Sequence, residues 1–175
     1  VPSSGNYFLN GHDVSKLTDN QLSDIRNKEI GFIFQGFNLI TNLDAVENVE
    51  LPLIYRGLGK QKRRKIAVEA LNKVGLGTRM KHKPSELSGG QQQRVAVARA
   101  IAAQPPIVLA DEPTGNLDTK STKEIMEILK GLHRGGRTVI IITHDDEIAQ
   151  QVKRVVRIVD GRIEDDYLNE EREGA

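Results

Sequence analysis

Two apolar runs, "IVLADEP" (107–113) and "TVIIITHDD" (138–146), flank one amphipathic segment, and this spacing constrains the fold more than any other feature. Each run is dense in Val, Ile, Leu and Ala and bounded by polar groups, the look of a central strand in a parallel sheet. Between them Ile125, Ile128, Leu129 and Leu132 recur at helical spacing. Parallel strands need a crossover, so a strand–helix–strand unit is predicted. "EIGFIFQ" (29–35) adds a further buried strand that ends at Gln35. The expected fold class is α/β.

The rest of the chain fits around that unit. Residues 7–10 read as a strand before an Asn10-Gly11 turn. Residues 18–27 read as a short helix with Leu22 and Ile25 on one face. Residues 42–58 look mixed, with Pro52 limiting any helix there. From Lys60, Ile66, Ala70, Leu71 and Val74 form a helical stripe that Gly75 stops. Ser88 and Gln91 stand in capping-box relation, which predicts a helix from Gly89 to about Gln104, with Val95, Ala98 and Ala102 on its apolar face. "RVVRIVDGRIEDD" (154–166) reads as a hairpin around Asp160-Gly161, before an acidic, frayed tail. Residues 1–37 and 105–166 are thus expected to build a sheet core. Residues 38–104 form a largely helical lobe, and 167–175 the tail.

Composition narrows the function classes. With 25 Lys and Arg against 24 Asp and Glu, no global field recruits nucleic acid. The basic run "KQKRRK" (60–65) is read as a solvated helix face. Cysteine is absent, which excludes disulfides and thiolate metal sites. No apolar run approaches the roughly 18 residues of a membrane span, so direct membrane insertion is not expected.

Chemistry concentrates at strand ends. Asp111 and Glu112 close one strand at its carboxyl edge, where α/β sheets bind ligands. Asp111 suits a Mg²⁺ ion, directly or through water, and Glu112 an attacking water. The pair serves equally as a cap for the next helix. His144 ends the neighbouring strand and could bond a phosphate or that water, or cap the helix begun at Asp145. Gln35 offers a neutral amide to a cation or its water. In "LSGGQ" (87–91) the Ser88 hydroxyl, the Gly89 and Gly90 backbone and Gln91 open a helix, whose positive end attracts anions.

In order along the chain stand "FIFQ", "LSGGQQQR", "VLADEPTGNLD" and "ITHD". This series resembles the nucleotide-binding domain of the ABC transporter ATPases over nearly the whole chain. The local wording is similar to the macrolide-export and lipoprotein-releasing subfamily. The resemblance implies a P-loop NTPase-like sheet core, with Gln35 as the Q-loop, residues 87–91 as the signature and 107–112 as Walker B. It makes 115–118 the D-loop and His144 the switch histidine. It implies ATP and Mg²⁺ as cofactors, with Asp111 and Gln35 at the metal and Glu112, His144 and Gln35 catalytic. Ser88, Gly89, Gly90, Gln91 and Asp118 would serve the nucleotide across a homodimer. A transmembrane permease is the implied partner, with the domain cytoplasmic and peripheral on the inner membrane face.

The family's phosphate loop, G-x-x-x-x-G-K-[ST], does not occur in these 175 residues. "GLGK" (57–60) fails the pattern, because its glycines are too close and Gln61 replaces the hydroxyl residue. Residues 1–5 look like the segment that follows the P-loop helix. The expectation is therefore a cassette truncated before Val1, without the first strands and P-loop helix, inactive by itself. The alternative is a naturally truncated, non-catalytic module that regulates a permease or an intact ATPase. Chromosome-structuring and repair ATPases share several motifs, but 35–88 has no room for their coiled coils.

Overall fold

Capping chemistry sets where the helices begin. In the computed structural model, which describes residues 4–9 and 11–169, Thr18 caps α1 (Asp19–Glu29) and Asp44 caps α2 (Ala45–Tyr55). Each cap side chain accepts the N–H three residues on, and Gln21 or Glu47 reaches back to the cap N–H. Ser88 and Gln91 do the same for α4 (Gly89–Ala102). Helix α3 (Lys60–Lys73) ends at Val74, with Gly75 at φ +73° as expected for a left-handed stop.

The described chain divides into two compact units, one up to Ile142 and one from Thr143. The first begins with a small antiparallel ladder of β1 (Phe8–Leu9) and β2 (His12–Asp13), pairing Leu9 with His12. The expected turn residue Asn10 lies outside the described residues. Helix α1 then passes without a loop into β3 (Ile30–Phe34). Arg56 fixes that junction. Its guanidinium donates to the carbonyls of Asn27 (2.6 Å), Lys28 (2.8 Å) and Ala103 (2.7 Å).

Strands β3, β4 (Ile107–Asp111) and β5 (Thr138–Ile142) form a parallel sheet in that order. Helix α5 (Thr119–Arg134) joins β4 to β5. Because strand order follows chain order, right-handed crossovers put α4 and α5 on one face of the sheet. Burial agrees. Gly31, Ile33, Val108 and Ala110 are buried, whereas Phe34, Ile140 and Ile142 on the other face are exposed by 37%, 45% and 49%. Strand β4 is central, as expected. Strand β5 is instead an edge among the described residues, and its exposure alternates.

Helices α2, α3 and α4 pack on one another, and α4 also packs on β3. Val95, Ala96, Val97 and Ala98 of α4 are fully buried. Burying each valine from water contributes about 1.5–2 kcal/mol, before the entropy of ordering it. The expectation that Pro52 would limit a helix in 42–58 is corrected: α2 runs through it. Proline removes one intrahelical donor near the helix end, but Val46, Val49 and Leu53 are buried and outweigh that loss. Asn48, fully buried, adds side-chain bonds to the carbonyls of Ile40 (3.1 Å), Leu43 (3.1 Å) and Asp44 (3.0 Å) and accepts from Ile40 N–H (2.8 Å).

The second unit holds α6 (Asp146–Ala149) and the hairpin of β6 (Arg154–Val159) and β7 (Arg162–Leu168). Asp160 and Gly161 lie at φ +48° and +74°, the two left-handed residues a tight primed turn requires. Arg154 grips Asp166 with two bonds, 2.8 and 2.6 Å. Residues 170–175, most of the expected tail, lie outside the described residues.

Candidate nucleotide-site elements

In-register pairing aligns the carboxyl ends of the strands. Phe34, Asp111 and Ile142 are partners across the sheet, so Gln35 and Glu112 leave the same edge side by side. Asp111 and Gln35 are exposed, and Glu112 is half-buried. Glu112 sits at φ +44°, a left-handed conformation that costs a glutamate on the order of 1 kcal/mol or more. Its N–H donates to the Ile142 carbonyl (2.9 Å), and its own carbonyl accepts from Gly115 N–H (3.2 Å). These two bonds hold the strained residue.

The loop after Glu112 folds back on Gln35. Asn116 donates its amide to the Gln35 carbonyl (3.3 Å). A Cβ at Gly115 would lie 2.7 Å from Gln35 Nε2, so a larger residue there would displace the Gln35 amide from its present position. Asp118 then caps α5. It accepts from Ser121 N–H (2.9 Å) and Ser121 Oγ (2.8 Å), and these bonds hold its carboxyl below the ordinary aspartate range.

The glycine turn of 88–91 packs against the same loop. Gly89 faces Phe37 and Leu117, at 3.7 and 3.8 Å from the position of an added Cβ. At Gly90 an added Cβ would collide with the Ser121 hydroxyl. The glycine at 90 is therefore required by α5 of the same chain, whatever it offers an anion. Ser88 Oγ accepts from Gln91 N–H (3.3 Å), which leaves its own hydrogen to donate. Gln91 Oε1 accepts from Ser88 N–H (3.0 Å).

Gln35, Asp111, Glu112, Ser88–Gln91 and Asp118 thus sit on two loops and one helix end of the first unit, linked by direct contacts. His144 belongs to the second unit. It follows β5 by two residues and is exposed.

Two residues of α4 escaped the sequence reading. Gln93, fully buried, donates Nε2 to the carbonyls of Pro113 (2.6 Å) and Phe34 (3.4 Å). Arg99 donates to the carbonyls of Phe37 (2.9 Å) and Asn38, both in left-handed conformations. Burial pulls its pKa below that of a free guanidinium. The available signal was a polar residue, Gln93, in line with the buried Ala96, Val97 and Ala100.

Among the described residues no cluster of three His, Cys, Asp or Glu could hold a metal alone. One carboxylate and one amide oxygen at a strand edge do fit a hard cation that takes its remaining ligands from phosphate and water. No described helix is long and apolar enough to cross a membrane.

A parallel sheet with acids at its carboxyl edge and a capped glycine turn beside them defines an α/β protein with its ligand-binding edge at the strand ends. Comparison makes the class specific. The family model "ABC transporter" matches residues 1–115. An ABC transporter ATP-binding protein of Thermotoga maritima is 51% identical over 163 residues, covering 93% of this chain and 70% of that protein. The macrolide export ATP-binding/permease protein MacB of Bdellovibrio bacteriovorus is 53% identical over 168 residues. That match covers 95% of this chain, which spans 25% of MacB. A dimeric, post-hydrolysis structure of the ATP-binding cassette MJ0796, bound to ADP and Pi, superposes with TM-score 0.85 at 44% identity. It covers 97% of this chain and 75% of that one. The chain belongs to the ABC transporter family as an ATP-binding domain, and such domains are ATPases.

Proposed function

We propose that these residues form part of a Mg·ATP hydrolysis site whose two halves come from two copies of the domain. Asp111 and Gln35 would hold Mg²⁺, which neutralises phosphate charge when bound. Glu112 accepts a proton from the attacking water, and His144 orients that water or the γ-phosphate. Ser88 donates its free hydroxyl hydrogen to a γ-phosphate bound on the facing copy. The Gly89 and Gly90 N–H groups and the start of α4 add positive potential, Gln91 braces Ser88, and Asp118 links the two sites. The observation that carries the reading is the common strand edge of Gln35, Asp111 and Glu112, in contact with the loop that touches the glycine turn.

The dimeric MJ0796 cassette supports pairing of two copies, and the ATP-binding/permease naming of MacB supports a transmembrane permease as partner. Residues 38–104 would act as the lobe that passes closure to it. The site would then lie on the cytoplasmic side of a membrane. ATP is the nucleotide.

The test is ATP turnover by the protein carrying these 175 residues, as its gene encodes it. Glu112→Gln is expected to lower kcat by about 100-fold or more with nucleotide still bound, the usual worth of a positioned base. Turnover indifferent to Glu112→Gln sinks the proposal. A polypeptide of these 175 residues alone has no phosphate-loop pattern and is expected to show no Mg-dependent turnover.

A further inference from the structure

Gln93 does more than fill the core. It lies in the second turn of α4, fully buried, and both of its donor contacts are backbone carbonyls of other segments. Phe34 immediately precedes Gln35, and Pro113 immediately follows Glu112. Carbonyls only accept, so the NH₂ group must face both, and this fixes the orientation of the amide. Its Oε1 is left buried without a hydrogen-bond partner among the described residues. An orphaned acceptor destabilises, so methionine or leucine would suit a core filler better. What the amide supplies is a tie between two loops that have no strand pairing beyond Asp111.

We infer that Gln93 is a positioning residue: its amide holds the carbonyl before Gln35 and the carbonyl after Glu112 at a fixed separation. It couples both to the helix whose first turn carries the Ser88–Gln91 cap. Arg99, two turns further along α4, fastens the carbonyls of Phe37 and Asn38 just beyond Gln35. One helix thereby grips the Gln35 segment on both sides. Helix α4 cannot shift without moving Gln35, and through Gln93 it moves the strained Glu112 loop as well.

The geometric part stands without the ATPase reading, whereas its kinetic consequence rests on it. The experiment therefore has two arms. Amide hydrogen exchange is measured on the chain for the wild type, Gln93→Met and Val97→Ala, the last a fully buried control on the same helix. Gln93→Met, close in volume but without a donor, is expected to speed exchange about tenfold at Phe37, Glu112 and Gly115, leaving α3 unchanged. The N–H groups of these three residues bond Phe34, Ile142 and Glu112 respectively. Val97→Ala should lower stability without that local pattern.

In the gene-encoded protein, Gln93→Met is expected to lower kcat about tenfold with KM for ATP changed less than about twofold, since placement and not binding is lost. Unchanged exchange at the three amides, or a uniform rise matching Val97→Ala, overturns the inference. So does a changed KM with kcat intact. A wild type without turnover sinks the ATPase reading, and the exchange arm then decides the role of Gln93.

Discussion

Both faces of the three-stranded sheet are apolar, and they meet different surroundings. One face presents Gly31, Ile33, Val108 and Ala110 to α4 and α5 and is buried. The other presents Phe32 and Phe34, stacked with ring centroids 5.9 Å apart, together with Leu109, Ile140 and Ile142, which are half-buried or exposed. Gly31 and Ala110 lie where the helices pack, together with the fully buried Ile33 and Val108, and the largest side chains lie on the more open face. Hydrophobicity alone therefore does not say which face is covered; the side on which the crossovers pass does. The order of the strands sets that side, since sequential right-handed crossovers place α4 and α5 together.

Gly31 is where the contrast is sharpest. A Cβ there would collide with the Ala100 carbonyl oxygen and lie 3.0 Å from Pro105 Cγ. Gly31→Val must push α4 off the sheet and is expected to cost about 3 kcal/mol or more in urea unfolding. A loss under about 1 kcal/mol would break the comparison. A milder probe of the same face is Ile33→Val, which removes one methyl from a fully buried site. About 1 kcal/mol is expected, read as a lower urea midpoint with the slope unchanged.

The smallest effect on stability belongs to the open face. Ile140→Thr, at a residue 45% exposed, should change unfolding free energy by less than about 0.5 kcal/mol. Its effect should appear in association instead. Exposed apolar surface favours self-assembly, so the 175-residue chain is expected to sediment as more than a monomer. Ile140→Thr combined with Phe34→Ser should shift it toward monomer. A wild-type chain that sediments as a monomer and unfolds cooperatively would remove the open face as a cause of association.

The sequence carried the elements well where local chemistry decides them. The capping pair Ser88 and Gln91, the stop at Gly75 and the Asp160-Gly161 turn each use side chains or φ preferences that neighbours cannot change. The three strands could be read from apolar runs, but which of them was an edge could not. The runs in β4 and β5 look alike, and only chain topology separates them. Pro52 misled for the opposite reason, because burial of Val49 and Leu53 outweighs a local penalty. At the site, Gln35, Asp111 and Glu112 were legible as polar residues ending apolar strands. Gln93 and Arg99 were not, because their partners are backbone carbonyls, which every residue possesses and no motif can mark. Gly90 was legible as a glycine, but its close approach to the Ser121 hydroxyl was not.

The left-handed backbone of Glu112 sets this residue against itself. Glycine or asparagine would sit at φ +44° with less strain, so a laboratory selection for thermal robustness alone should drift toward them at this position. Each such winner would have discarded the carboxylate at the strand edge. On the role proposed for Glu112, a library scored only for heat resistance would enrich folded, durable and chemically silent proteins.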